Sequence, residues 1–205
     1  MKQIGLFFGT FNPFHVGHKI IANYFYHHSS LEEVWFVVSP ESPFKKNKKI
    51  LDKNHRLNII REEILDVKYL KATDIEFDII QPSYTIDTMV KLSEKYNHNF
   101  SIIMGADYLT HIHKWKNYEE LLNTYHFYVY PRPGYEFNDS YSNVTYMKEA
   151  PIIQISASSI RSYIKQGIDA SFLVPHKAWN YIDKMNFYKN EANIINNCFF
   201  CDFLF

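Results

Sequence analysis

The stretch GLFFGTFNPFHVGH, residues 5–18, sets His15 and His18 three positions apart, just after an apolar run and a glycine turn. On a helix that spacing puts both imidazoles on one face. Two imidazoles there can donate to a phosphate, ligate a metal, or simply pack. Zinc needs a third ligand, and the chain carries neither an HExxH pattern nor a nearby cysteine pair. An anion needs only a helix start, whose unpaired N–H groups and partial positive charge face the ligand. Gly9, Thr10 and Phe11 then add main-chain donors, and Gly17 is expected to leave the face open so that a phosphate can approach the backbone. The stretch is neither a GxGxxG fingerprint nor a Walker A loop, since the Lys-Ser/Thr pair is missing. Taken alone, the two histidines fit an anion site and an ordinary structural role equally.

These side chains need elements to hold them. IGLFF reads as a short buried strand, and Asn12-Pro13 as a helix start, with Asn as cap and Pro at the first helical position. VWFVVS is a second buried strand. Asp52 can cap a helix that carries Leu57, Ile60 and Ile64 at helical spacing. LKATDIEFDII reads as one strand or two, SYTIDTMVKLSEKY as a helix, and FSIIMG as a buried strand ending at Gly105. A short helix YEELLNTY, a strand HFYVYP and a further strand APIIQIS follow. SASSIRSYIKQG is a helix closed by Gly167, and PHKAWNYIDKMNFY is the last helix. Short buried strands alternating with helices predict an α/β fold, a doubly wound Rossmann-like parallel sheet with helices on both faces. Ligands of such sheets bind beyond the carboxyl ends of the strands, at the switch in strand order. Gly9, Gly17, Gly105 and Gly134 are four of only six glycines, and all four fall in loops at that expected edge or beside it.

A second stretch, ISASSIR at Ile155–Arg161, combines small hydroxyl residues with an arginine at an expected helix start. Together with GTFNPFHVGH it resembles the two signatures of the HxGH nucleotidyltransferases, HxGH and ISSTxIR, in the right order. Ala157 replaces a serine and Ser158 a threonine, so no hydroxyl role passes to position 157. Between them, PSYTIDT (82–88), IMGADYLTHIHKW (103–115) and PRPGY (131–135) resemble the bacterial nicotinate-mononucleotide adenylyltransferase family. The resemblance spans roughly the whole unit expected at 1–188; residues 189–205 form a tail.

The resemblance implies a reaction in which a mononucleotide phosphate attacks the α-phosphate of ATP in line and pyrophosphate leaves, in NAD biosynthesis. The attacking oxygen is already ionised, so no protein nucleophile or general base is required, and catalysis is alignment plus stabilisation of charge. By that resemblance His15, His18 and Arg161 are catalytic. ATP is held by these and by Gly9, Thr10, Phe11, Lys45, Ile155, Ser156 and Ser158, with Mg²⁺ carried on the nucleotide. The mononucleotide meets Tyr84, Thr85, Gly105, Asp107, Trp115 and Arg132, with Trp115 stacked on the pyridine ring. Each residue also has an ordinary reading: Arg161 as a surface arginine, Ser156 and Ser158 as helix caps, FKKNKK around Lys45 as a solvated loop, Arg132 in a turn, Asp107 as a cap, Trp115 in the core. For the acid over the amide, PSYTIDT offers a helix start without a basic side chain, with Pro82 ending a strand and Ser83 or Thr85 as cap. Relatives that use nicotinamide mononucleotide or pantetheine phosphate remain open as alternatives. So does a nucleotide-binding regulator that has lost turnover, although both His18 and Arg161 are present.

Bulk properties agree with a small-molecule enzyme. The 205 residues, 46% hydrophobic and 18% aromatic, suffice for one sizeable core. Twenty-two basic and 22 acidic residues cancel, which argues against nucleic acid or a charged membrane surface as partner. The chain opens with no signal-peptide pattern and has no spanning apolar run, so a cytoplasmic location is expected. Cys198 and Cys201 in the tail read as two reduced thiols, and the tail itself as a packing or homo-oligomer contact.

Overall fold

The computed structural model describes residues 1–41, 50–136 and 141–190. Within them six strands form one sheet: β1 (Gln3–Gly9), β2 (Glu33–Val38), β3 (Leu70–Thr73), β4 (Asn99–Gly105), β5 (His126–Tyr130) and β6 (Val144–Tyr146). The order is β3-β2-β1-β4-β5-β6 and every pairing is parallel. The order reverses between β1 and β4, which places the ligand crevice at the ends of those two strands. The helices are α1 (Val16–His28), α2 (Lys53–Ile64), α3 (Thr85–Lys95), α4 (Ala106–Leu109), α5 (Tyr118–Thr124), α6 (Ala157–Gln166) and α7 (His176–Lys184).

Strand alternation builds two cores from one sheet. Phe7, Val34, Phe36, Val38 and Ile103 face α1, α2, α6 and α7. Ile4, Leu6, Trp35, Val37, Ile102 and Met104 face α3, α4 and α5. Burial on both faces explains the uninterrupted apolar run of β2, all six residues of which are buried. The fold class is therefore as expected, as are Asp52 capping α2 through the Asn54 N–H and Gly167 closing α6 at φ 74°.

Local details differ. The helix after β1 begins at Val16, with His15 at its N-cap, and the Asn12–Pro13 peptide is cis. Asn12 cannot cap there because its Oδ1 already accepts from Leu51 N (3.2 Å) and the Tyr188 hydroxyl (2.7 Å). APIIQIS forms no strand. The place beside β5 is taken by Val144–Tyr146, and the run at 151–155 belongs to no helix or strand, with Ile152 exposed. The second motif therefore starts α6 from a loop. LKATDIEFDII gives β3 and then a 3₁₀ turn at Ile75–Asp78. Pro82 consequently ends no strand.

Candidate active site

At the carboxyl end of β1 the chain passes Gly9 and Thr10 and enters α1 through Phe11, which holds a left-handed backbone at φ 45°. His15, at the N-cap, and His18, one turn on, stack with ring centroids 3.6 Å apart and planes 23° apart. His18 Nδ1 accepts the His15 N–H at 3.1 Å. An Nδ1 that accepts leaves the ring proton on Nε2, so His18 is an N–H donor in its neutral form. Phe7, Phe11 and Phe14 ring that imidazole, at 6.0, 4.9 and 5.5 Å between centroids.

Burial in this apolar setting pushes His15 down to about 4, with the Arg132 charge adding to it. His18 is pushed well below its ordinary value by burial first, then by His15 and Arg132. At neutral pH both are uncharged donors. His15 Nδ1 is buried with no hydrogen-bond partner, an unmet need at the heart of the motif. Gly17 does not open this face to the backbone as expected. A Cβ there would meet Ile153 Cγ2 at 2.9 Å and the His15 ring at 3.0 Å, so glycine admits the imidazole rather than a phosphate.

The second motif meets the first. Ser156 caps α6 by accepting the Ser159 N–H at 3.0 Å. Arg161, on the next turn, donates to the Asn12 carbonyl at 2.5 Å and lies 3.4 Å from Ser158 Oγ. Ile155 packs against the core on the α1 side. Tyr188 donates to the Asn12 side chain, and burial raises its hydroxyl pKa against the opposing charges of Arg161 and Arg56. Asn12 is thus held by Leu51, Arg161 and Tyr188 together.

Beside this cluster lies a cleft of about 210 Å³. It is lined by Gly9 and Thr10 after β1, Gly105 and Tyr108 after β4, Tyr84 and Thr85 at the start of α3, and Trp115. Trp115 is half-buried, edge-on to Tyr108 at 6.4 Å. Helix α3 starts at Thr85 with Tyr84 as N-cap and no side-chain cap bond. Ser83, expected as a cap, instead donates its hydroxyl to Glu76 Oε2 at 3.1 Å. The first N–H groups of α3 therefore remain for a ligand. Asp107 sits in the first turn of α4, its Oδ1 3.6 Å from Arg132 Nε, and neither buried atom has a hydrogen-bond partner. A Cβ on Gly105 would come within 2.3 Å of that Oδ1, which explains the glycine.

These contacts sort the expected residues. Gly9, Thr10, Tyr84, Thr85, Gly105 and Trp115 line the cleft, whereas His15, His18, Phe11, Asp107, Arg132, Ile155, Ser156, Ser158 and Arg161 lie outside its wall. Arg132 begins the turn at 132–135, pairs with Asp107, and its charge lowers both histidines. Lys45 lies outside the described residues, as do Cys198 and Cys201.

Four polar side chains were not anticipated. Arg56 is 1% exposed and donates to four main-chain carbonyls. Glu76, in the cleft wall, accepts from Ser83 and from Thr88 at 2.9 Å; burial raises its pKa against the hydroxyls of Ser39, Thr88 and Ser83. Lys114 and Lys116 flank Trp115 and line the cleft. Lys116 pairs with Asp87 at 3.0 Å and lies 4.9 Å over the Tyr84 ring, so the start of α3 does have a basic neighbour. Lys114 pairs with no acidic side chain among the described residues. The KWK run around an aromatic residue was the available signal for the lysines, and nothing local marks Arg56 or Glu76.

A family model described as cytidylyltransferase-like matches residues 6–163. A probable nicotinate-nucleotide adenylyltransferase of Flavobacterium johnsoniae is 46% identical over 195 residues, covering 91% of this chain and 99% of its own. The chain belongs to the nicotinate-nucleotide adenylyltransferase family. Its nucleotidyltransferase activity follows from that membership. A probable nicotinate-nucleotide adenylyltransferase of Christiangramia forsetii is 45% identical over 193 residues, covering 92% of this chain and 99% of its own. Among solved structures, Plasmodium falciparum nicotinic acid mononucleotide adenylyltransferase complexed with NaAD shares the fold, with a TM-score of 0.78 at 20% identity, over 92% of this chain and 98% of that one. No helix among the described residues is long and apolar enough to cross a membrane.

Proposed function

We propose that the chain joins nicotinate mononucleotide to the AMP portion of MgATP, giving nicotinate adenine dinucleotide and pyrophosphate. The observation that carries the reading is the convergence of both motifs on one loop: Arg161 reaches across 149 positions to the Asn12 carbonyl, beside two stacked, neutral histidines. The bond that forms joins the mononucleotide phosphate oxygen to the α-phosphorus, and the bond that breaks joins that phosphorus to the pyrophosphate oxygen. His15 and His18 donate N–H bonds to triphosphate oxygens as charge grows there. Arg161 turns its planar fork from the Asn12 carbonyl to the leaving phosphates, a contact lysine cannot copy. Arg132 adds positive charge beside the histidines. Magnesium enters as part of the nucleotide, neutralising triphosphate oxygens while asking few protein ligands.

In the cleft Trp115 stacks on the pyridine ring and the open start of α3 accepts the ring carboxylate. Lys114 and Lys116 add positive potential at the same end. Asp107, close to the cleft wall, accepts ribose hydroxyls. Lys45 on the triphosphate and a cytoplasmic location belong to the same proposal. The test is pyrophosphate release from MgATP with a panel of mononucleotides. Release with nicotinate mononucleotide supports the reading; release only with pantetheine phosphate, or with none, rejects it.

A further inference from the structure

Arg56 is a buried cation with no ion pair among the described residues, the Asp52 charge at the N-cap of its helix acting on it from beyond ion-pair distance. Its Nε donates to Leu51 O at 2.7 Å, one terminal nitrogen to Thr10 O at 2.6 Å and Ser39 O at 2.7 Å, and the other to Pro40 O at 2.7 Å. A buried arginine is ordinarily matched by a carboxylate. Here four carbonyl dipoles take that place at contact distance, with the Asp52 charge adding to them, next to the loop that leads from β1 to His15. Three of the carbonyls, those of Thr10, Ser39 and Pro40, directly follow the ends of β1 and β2. A bond from Ser39 N to Gly9 O at 2.9 Å joins the same two strand ends.

The Thr10 contact has the sharpest consequence. The Thr10–Phe11 peptide is trans, so its carbonyl and its N–H point in opposite directions. With Thr10 O drawn onto the guanidinium, the Phe11 N–H must point away from Arg56. Phe11 itself sits at φ 45°, a region that non-glycine residues occupy only when their surroundings hold them there. Its ring, 3% exposed, packs on Phe7, Phe14, His18 and Phe36. Side-chain packing therefore fixes one end of this residue and the guanidinium fixes the other. A charge on the carbonyl oxygen also polarises the peptide and strengthens the N–H as a donor.

We propose that Arg56 is a positioning residue for triphosphate binding: it holds the Thr10 carbonyl and so aims and polarises the Phe11 N–H toward the phosphates. The inference rests on the adenylyltransferase reading and adds to it a residue that touches no substrate.

The experiment compares wild type and Arg56→Lys, which keeps the charge and loses the fork. The probe is adenosine 5′-(α,β-methylene)triphosphate with Mg²⁺, its Kd measured by calorimetry beside the KM for nicotinate mononucleotide. Expected are a rise of about tenfold or more in the analogue Kd and a mononucleotide KM within about twofold of wild type. An analogue Kd within about twofold of wild type, with only the melting temperature lowered, would show a purely structural arginine and overturn the inference. Equal losses for both substrates would overturn it too, since they report collapse of the whole cleft. Wild-type protein supplies a readout independent of variant folding: the Phe11 amide proton should move downfield as the analogue is added. A Phe11 amide that does not move while the analogue binds overturns the inference and spares the functional reading. A wild type that binds no analogue overturns both.

Discussion

The two ends of the proposed site are built on opposite plans. The phosphate end, around Asn12, His15, His18, Arg132 and Arg161, holds uncharged imidazoles and guanidinium groups, with one carboxylate, Asp107, at its edge. The other end, around Tyr84, Thr85 and Trp115, is lined by aromatic side chains, the start of α3, two lysines and the buried Glu76. The first plan suits a charge that grows during reaction, because its donors are fixed before the charge appears. The second suits a flat, weakly polar ring whose one distinguishing group sits at its rim. Rate should therefore depend on the first end and choice of substrate on the second.

Breaking the phosphate end should cost most. His18→Ala and Arg161→Ala are each expected to lower kcat at least about a hundredfold, the usual loss for one preorganised donor, with circular dichroism unchanged. Both mononucleotides should suffer alike, so their ratio of kcat/KM should hold. Steady-state kinetics on the two substrates checks this; near-wild-type kcat in a folded His18→Ala would make the histidine structural. Arg161→Lys should fall between wild type and alanine in rate, because the charge survives without the fork.

At the ring end the expected losses are smaller. Trp115→Ala should raise KM for both mononucleotides by about tenfold, stacking being blind to acid or amide. A variant that lost acid preference while keeping its rate would show that the tryptophan, rather than the start of α3, reads the ring substituent. Lys114→Met should weaken the acid alone, by about a fewfold, as befits an exposed charge in water. Unequal effects in the reverse sense would take Lys114 out of the recognition.

The smallest effect is on stability against pH. His15 lies at about 4 in the folded chain against 6.5 when unperturbed. Between those values the unfolded chain binds the extra proton, so the contribution of neutral His15 is complete above pH 6.5 and disappears as pH falls toward 4. In urea titrations wild type should lose stability relative to His15→Gln as pH falls from 6.5 toward 4, and the difference between them should be constant above pH 6.5. Parallel curves across that window would mean that the imidazole is not desolvated.

How much could be read beforehand follows the same division. The two motifs that meet at the proposed phosphate end were legible because each is local: two imidazoles at helical spacing and an arginine one turn into a helix. The helix start itself was misplaced, since Asn12 spends its side chain on Leu51 and Tyr188, partners 39 and 176 positions away. Arg56 lay hidden on an amphipathic helix, where arginine ordinarily faces water. Only the meeting of two strand ends supplies the carbonyls that bury it. β6 was missed because VTY is short and half polar, while the apolar PIIQI run nearby looked like a strand and pairs with nothing. At the ring end Trp115 and the α3 start were visible, but the crossing of Lys116 onto Tyr84 depends on how the 106–117 segment folds over α3.

The most direct measurement is an internal competition. Wild-type enzyme is given MgATP and equal, limiting concentrations of nicotinate and nicotinamide mononucleotide, and early products are resolved by chromatography. The product ratio equals the ratio of the two kcat/KM values. Misplacing an amide among donors costs about 1–3 kcal/mol, so nicotinate adenine dinucleotide should exceed the amide dinucleotide by roughly ten- to a hundredfold, with one pyrophosphate per dinucleotide. Equal products, an excess of the amide dinucleotide, or no dinucleotide at all would contradict the account.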